Sequence, residues 1–266
     1  MKLVINIYTI LVSFLVGVVG MGVGGVVTAL FGSRTDKMTS IFLSFAGGVM
    51  ISIVFLELLP EAIEMANLMI GISGLILGAA LVFILNGLMD RLSTTRIGSK
   101  LHDTYADFFH SSDVITRKSS MLRSGIIMIF AIALHNIPEG LAMGTAGFYD
   151  TRLGFTLAIA IALHNIPEGM AVTAPLIVGG LSRMKSIVIT MLAGATTVIG
   201  AIAGVLIGGI SEVAVAISFA MAGGAMLYVV LGEILPQSIV TSKDRLPTIF
   251  TLVGIIIGVI IIELLH

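Results

Sequence analysis

The chain has 266 residues, of which 57% are hydrophobic and only 11% are charged, and its formal net charge is -1. Its mean hydropathy is +1.14, and ordinary soluble domains carry about a quarter charged residues, so the composition indicates a protein whose solvent is the lipid bilayer. The near-zero charge argues against a nucleic-acid partner, and the absence of cysteine excludes disulfides and thiolate metal or redox sites.

Eight stretches provide the roughly 20 apolar residues that a helix needs to cross the hydrocarbon. The predicted spans are residues 4–31, 40–60, 68–89, 124–147, 153–178, 186–209, 213–235 and 247–265. The first stretch is interpreted as a retained span, because its apolar run is too long for the core of a signal peptide. We therefore predict an all-α polytopic membrane protein with one transmembrane domain, 1–266, and one long loop at 90–123.

The distribution of basic residues predicts the orientation. The long loop contains Arg91, Arg96, Lys100, Arg117, Lys118 and Arg123, so the positive-inside rule makes it cytoplasmic. With that loop inside, only Lys2 and Arg152 of the 14 basic residues fall outside. Both termini are then predicted to be extracytoplasmic, and the protein is predicted to be a multi-pass protein of the cell membrane.

One internal repeat relates the second and seventh spans. FAGGVMISIVFLELLPEAI (45–63) matches MAGGAMLYVVLGEILPQSI (221–239), with the aligned pairs Gly47/Gly223, Gly48/Gly224, Met50/Met226, Glu57/Glu233 and Pro60/Pro236. The two spans run in opposite directions, and repeats of inverted topology are typical of secondary transporters. We therefore predict an inverted repeat of spans 1–3 and 6–8 around spans 4 and 5, with chance recurrence of short motifs as the alternative.

A second repeat places the seven-residue word LHNIPEG at 134–140 and again at 163–169. Residues four apart share a face of a helix, so His135 lies with Glu139, and His164 lies with Glu168. In an antiparallel hairpin two residues at equal depth are equally far from the turn, so the sum of their residue numbers is constant. Each histidine is therefore predicted to face the glutamate of the other span. At about 1.5 Å per residue both pairs lie about 20 Å from the outer turn, near mid-membrane.

Two glutamates at this depth need a compensating partner, because a central charged residue costs roughly 2.5–3.5 kcal/mol on insertion scales. A divalent cation neutralises both, and imidazole with carboxylate suits zinc, iron(II), manganese and cobalt. Pro138 and Pro167 leave helix carbonyls without their usual donor, while Asn136 and Asn165 add amide oxygens. The alternative is that these residues only join the two helices by hydrogen bonds.

Two other functions are compatible with these residues. An intramembrane metalloenzyme is disfavoured, because the HExxH motif and a Ser or Cys nucleophile paired with either histidine are absent from the sequence, and we expect no enzyme and no resident cofactor. A proton-coupled transporter of another solute remains an alternative, since one of two close carboxylates can hold a proton. Glu57 and Glu233, near opposite ends of their spans, are predicted to line an ion pathway. His102 and His110 in the long loop are interpreted as parts of a solvated segment.

HNIPEG in both central spans resembles the ZIP family of zinc/iron permeases, and more closely its prokaryotic branch. The resemblance extends over nearly the whole chain. It implies import of divalent metal, zinc and otherwise iron, manganese, cadmium or cobalt, by an elevator-like mechanism. It further implies that His135, Glu139, His164 and Glu168 are primary ligands, Asn136 and Asn165 adjoin a second site, and Met50 supplies a thioether. Thr197 stands where many relatives have a carboxylate, so a mononuclear or weakly binuclear site is expected.

Glycines recur at four-residue spacing on three outer spans: Gly74 and Gly78, Gly200, Gly204 and Gly208, Gly254 and Gly258. Such spacing allows close helix contact in membranes. The resulting smooth surfaces fit either a homodimer interface or the sliding of one group of helices along another, and the sequence leaves both open.

Overall fold

The structure is a computed structural model that describes residues 2–32, 36–93, 114–149, 151–207, 211–242 and 244–265. Within these ranges the secondary structure is helical and contains no strand, which confirms the all-α prediction. Most of the predicted loop 90–123, including His102 and His110, lies outside the described residues.

The described residues form eight helices, numbered here after the predicted spans. Helix 1 consists of Lys2–Phe14, Leu15–Val19, Gly20–Val27 and Thr28–Gly32, and helix 2 of Asp36–Ile53, Val54–Leu58 and Leu59–Met65. Helix 3 is Leu68–Ser93, helix 4 is Val114–Tyr149 and helix 5 is Thr151–Val178. Helix 6 joins Arg183–Gly194 to Thr196–Ile207, helix 7 consists of Glu212–Val229, Val230–Ile234 and Leu235–Ser242, and helix 8 is Leu246–Leu265.

Six segments of the described chain are long and apolar enough to cross a membrane: Ile7–Phe31, Lys37–Met65, Leu157–Val178, Arg183–Leu206, Glu212–Ser242 and Leu246–Leu264. Helix 3 contributes the shorter apolar segment Leu68–Ile84. Helix 4 begins at Val114, ten residues before the predicted span, because the basic residues of its first turns are compatible with a helix although they are not apolar. The count of eight crossings therefore stays a prediction.

The prolines do not end the helices in which they lie. Pro138 is inside helix 4, and Pro167 and Pro175 are inside helix 5. In helices 2 and 7 a π-helical turn precedes the proline: Leu59 donates its backbone N–H to Val54, and Leu235 donates to Val230. A proline lacks the donor that an α-helical turn requires, so a widened turn here lets each helix continue past the predicted end of its span. Both π-turns contain a glutamate.

The helices divide into two bundles by their contacts. Helices 1, 4, 5 and 6 pack together and are called the site bundle here, because helices 4 and 5 carry the doubled word. Helices 2, 3, 7 and 8 pack together and are called the flanking bundle. The principal contacts between the bundles are those of helix 2 with helix 5 and of helix 7 with helix 4.

Glycines allow close helix contacts, and these contacts recur in matched pairs. A Cβ atom on Gly48 would lie 2.2 Å from the carbonyl oxygen of Thr251, and one on Gly224 would lie 1.9 Å from that of Leu75. Gly224 lies 176 positions after Gly48, and Thr251 lies 176 positions after Leu75.

The site bundle repeats this arrangement. A Cβ atom on Gly24 would lie 2.0 Å from the carbonyl oxygen of Ile166, and one on Gly200 would lie 2.0 Å from that of Ile137. Gly200 of helix 6 lies 176 positions after Gly24 of helix 1, and Ile166 of helix 5 lies 29 positions after Ile137 of helix 4.

The spaced glycines of the outer helices are used inside the chain. Gly74 and Gly78 face helix 7, Gly200 and Gly204 face helix 4, and Gly254 and Gly258 face helix 2, while Gly208 lies outside the described residues. Each described pair thus lies within a single bundle. The described glycines of these helices therefore account for close packing within a bundle.

We expect Gly78→Ala to destabilise the protein, because its new Cβ would lie 2.0 Å from the carbonyl oxygen of Met221. Overpacking of this kind costs about 1–3 kcal/mol. The matched control is Gly87→Ala in the same helix, where no atom lies within 4 Å of the added Cβ. Thermal unfolding of detergent-purified protein should show a lower midpoint for Gly78→Ala alone, and equal midpoints for the two variants would contradict this packing.

Candidate metal centre

The two histidines and two glutamates of the doubled word meet between helices 4 and 5. His135 Nε2 lies 3.0 Å from Glu168 Oε1, and His164 Nε2 lies 3.1 Å from Glu139 Oε1. All four side chains are at most 1% exposed. The pairing predicted from the constant index sum, each histidine with the glutamate of the other helix, is therefore confirmed.

The spacing of these donor atoms fits the ligand shell of a small divalent cation. His135 Nε2 is also 3.5 Å from Glu139 Oε1, and one donor atom from each of His135, Glu139 and Glu168 lies within 4.8 Å of the others. Nitrogen and oxygen ligands at about 2.0 Å from a tetrahedral zinc ion are about 3.3 Å apart. The separations of His135 Nε2 from Glu168 Oε1 and from Glu139 Oε1, 3.0 and 3.5 Å, bracket that value.

Several buried polar atoms of this centre lack a hydrogen-bond partner among the described residues. They are Oε2 of Glu139 and Glu168, Nδ1 of His135 and His164, and Oδ1 of Asn136 and Asn165. An unsatisfied buried polar group costs about 1–3 kcal/mol. Such a cluster is expected where an ion, with its water, supplies the interactions that the protein itself does not.

The two asparagines are held by the backbone of the neighbouring helices. Asn136 Nδ2 donates to the carbonyl of Ala193 in helix 6 at 3.3 Å, and Asn165 Nδ2 donates to the carbonyl of Val16 in helix 1 at 3.0 Å. These two bonds fix the amides so that their oxygens remain available. Both asparagines are fully buried.

Sequence reasoning missed three groups beside the asparagines. They are the carbonyls of Val16 and Ala193, described above, and the thioether of Met21, whose sulfur lies 3.5 Å from Asn136 Nδ2. Val16 belongs to a π-helical turn of helix 1. Gly24 and Gly200 are 176 residues apart, which is the spacing of the repeat between spans two and seven. This match in the sequence would have indicated that helices 1 and 6 also contribute to the site.

Thr197 lies one turn after Ala193 and is fully buried. Its hydroxyl has no hydrogen-bond partner among the described residues, and it would lie 2.8 Å from a Cβ atom on Gly17. Helix 6 therefore contributes a neutral oxygen to this layer, in agreement with the departure from the family pattern noted in the sequence.

The remaining candidates lie on the flanking bundle. Met50 is fully buried on helix 2, which packs against helix 5. Glu57 is 9% exposed and lies in the π-turn Val54–Leu58, while Glu233 is half-buried in the π-turn Val230–Ile234. Their roles as thioether ligand and as pathway carboxylates stay predictions.

The fold and the site together are those of an all-helical, multi-pass membrane protein with a buried His/Glu centre whose spacing fits a divalent cation. A profile of the ZIP zinc transporter family matches residues 93–266. Proteins named zinc transporter ZupT are similar over most of their length: that of Corynebacterium efficiens is 34% identical over 88% of each chain. Those of Akkermansia muciniphila and Campylobacter jejuni are 35% and 32% identical, over 82% and 90% of this chain and 83% and 89% of their own. The chain belongs to the ZIP family, which consists of transporters and not of enzymes.

Proposed function

We propose that the protein imports a divalent transition metal into the cytoplasm, with zinc as the principal substrate and iron(II), manganese, cadmium or cobalt as further ones. The observation that carries this proposal is the centre itself, in which two buried His–Glu pairs hold donor atoms at metal-ligand spacing. The relatives named as zinc transporters support the choice of zinc.

In this proposal His135, Glu139, His164 and Glu168 are the primary ligands. One dication balances the two carboxylates, which removes the cost of burying them at mid-membrane. Met50 completes the shell with a thioether, and Asn136 and Asn165 form an adjoining position. That second position is weaker, because Thr197 adds no charge to it.

We further propose that spans 1–3 and 6–8 are inverted repeats around spans 4 and 5. The matched glycine contacts support this, since a single shift of 176 positions relates them in both bundles. The paired π-turns at Glu57 and Glu233 obey the same shift. Equivalent spans of the two repeats are five spans apart along the chain, an odd number, so the second repeat is inverted relative to the first.

Transport is proposed to proceed by an elevator-like movement of the site bundle against the flanking bundle. Every close contact of the described glycines lies inside one bundle, and none joins the two. Close backbone packing holds each bundle together. The boundary between them, formed by larger side chains of helices 2, 4, 5 and 7, is the surface along which movement disturbs the fewest such contacts.

The proposed location is the cell membrane, with both termini outside and the loop 90–123 inside. Lys37 Nζ lies 3.9 Å from Asp244 Oδ2, which joins the start of helix 2 to the connection between helices 7 and 8. This contact supports the placement of the helix 1–2 and helix 7–8 connections at one membrane face, which the basic-residue count requires. Ions would then pass Glu57 on entering and Glu233 on leaving.

The test is uptake of radioactive zinc by liposomes that contain the purified protein, with unlabelled competing metals outside. Zinc should accumulate faster than in protein-free liposomes, and His135→Ala with His164→Ala should abolish both this flux and zinc binding in detergent. Flux that is unchanged in that double variant would defeat the proposal. If the wild type neither binds nor transports zinc, a carrier of another solute is favoured.

The orientation of the helices in the membrane is tested separately. Single cysteines are introduced into this cysteine-free chain, and their labelling from one side of the membrane reports which loops are outside.

A further inference from the structure

Two buried methionines continue the face of helix 4 that carries His135. Met128 and Met121 precede it by 7 and 14 residues, and residues seven apart lie on one side of a helix. Their exposures are 1% and 0%. At about 1.5 Å per residue, they lie about 10 and 20 Å from the centre, on the side of the loop 90–123.

Contacts of neighbouring residues place this methionine line between helices 5 and 7. A Cβ atom on Gly125 would contact Leu176 of helix 5, and one on Gly179, in the turn after helix 5, would contact Leu122. Met121 Sδ lies 4.0 Å from Gln237 Nε2 of helix 7. Met121 therefore lies at the boundary between the site bundle and the flanking bundle, where the proposed movement takes place, and the seven-residue spacing continues this line to Met128.

The corresponding positions on the other half of the protein have different chemistry. The shift of 29 that relates helices 4 and 5 takes Met128 to Leu157, which is also buried. The shift of 176 takes Gln237 to Glu61. The half beyond Glu57 thus has Glu61 and Leu157 at the positions where the half beyond Glu233 has Gln237 and Met128.

Thioether sulfur is a soft, polarisable ligand that favours softer metal ions over hard ones such as manganese or magnesium. It is uncharged, so it does not hold a dication as a carboxylate does. Methionine is also flexible, which allows the sulfur to follow an ion while two surfaces move past each other. A boundary lined in this way favours softer ions while they leave the centre.

Given the proposed import through the His/Glu centre, we propose that Met128 and Met121 form a thioether track on the cytoplasmic side of that centre and select softer divalent ions during release. The track acts after binding. It therefore contributes to which metal is transported without contributing to how tightly the centre binds it.

The experiment compares cadmium and manganese uptake by liposomes containing wild-type protein or the Met121→Leu, Met128→Leu double variant. Leucine preserves apolar volume, so the fold is retained, and thermal unfolding verifies this. The matched control is Met143→Leu, a methionine with 1% exposure on the same helix that lies inside the site bundle, in a small cavity with Thr9 and Val12 of helix 1. Met128→Leu alone serves if the double variant is unstable.

The cadmium-to-manganese flux ratio should fall about fivefold to tenfold in the double variant, because cadmium loses a soft ligand that manganese hardly uses. A smaller fall in this ratio is expected for Met128→Leu alone. Cadmium affinity in detergent should equal that of the wild type, and Met143→Leu should keep the wild-type ratio. A ratio unchanged in the double variant, or lowered equally by Met143→Leu, overturns the track. Absence of any metal flux in the wild type instead overturns the proposed function.

Discussion

Glu139→Gln combined with Glu168→Gln is expected to reduce zinc uptake by at least about 100-fold, because removing one partner of a buried charge pair costs about 3–5 kcal/mol. Both carboxylates lie within 3.1 Å of a histidine nitrogen and are at most 1% exposed. Glutamine preserves their size and one acceptor oxygen, so the helices still pack. What disappears is the negative charge that, under the proposed function, balances the dication.

The control for loss of a carboxylate elsewhere in the protein is Glu263→Gln. Glu263 is exposed and lies near the end of helix 8. This variant should transport zinc at the wild-type rate. Zinc affinity in detergent and the midpoint of thermal unfolding separate loss of the site from loss of the fold. Wild-type flux in a stably folded double variant would show that the charge of this centre has no role in transport.

Thr197→Glu is expected to raise the number of tightly bound zinc ions from one to two per protein. The wild-type centre has two carboxylates, whose charge would balance one dication, and its asparagine layer offers only neutral oxygens. A carboxylate at Thr197 would lie one turn from Ala193, whose carbonyl holds Asn136. The additional charge favours a second cation there, because opposite charges in a buried site interact strongly.

Zinc content of the purified protein after dialysis, measured by mass spectrometry, reports this stoichiometry. Thr197→Val is the matched control, since it keeps the shape and removes the hydroxyl, and it should still bind one ion. Gly17 packs closely against this position, since a Cβ atom on Gly17 would lie 2.8 Å from the Thr197 hydroxyl, and thermal unfolding checks that the fold accepts the longer side chain. A stably folded Thr197→Glu protein that binds a single ion would contradict this account of the second position.

The chemistry of the site was accessible from the sequence because two local rules were sufficient for it. The four-residue spacing puts His135 with Glu139 and His164 with Glu168 on one face of each helix, and a short hairpin determines which residues have equal depth. The distances confirm the pairing that follows. Neither rule says anything about helices 1 and 6, so the carbonyls of Val16 and Ala193 and the sulfur of Met21 were missed.

The sequence by itself determined that the chain is helical, lies in the bilayer and carries a paired His/Glu centre, because composition and short-range spacing are local properties. Only the tertiary structure decided that the helices form two bundles, that the spaced glycines pack inside them, and that Met121 meets Gln237 at their boundary. In a membrane the lipid-facing side of a helix is as apolar as the buried side, so hydropathy does not identify its neighbours. Close packing of small residues decides them, and that depends on several helices at once.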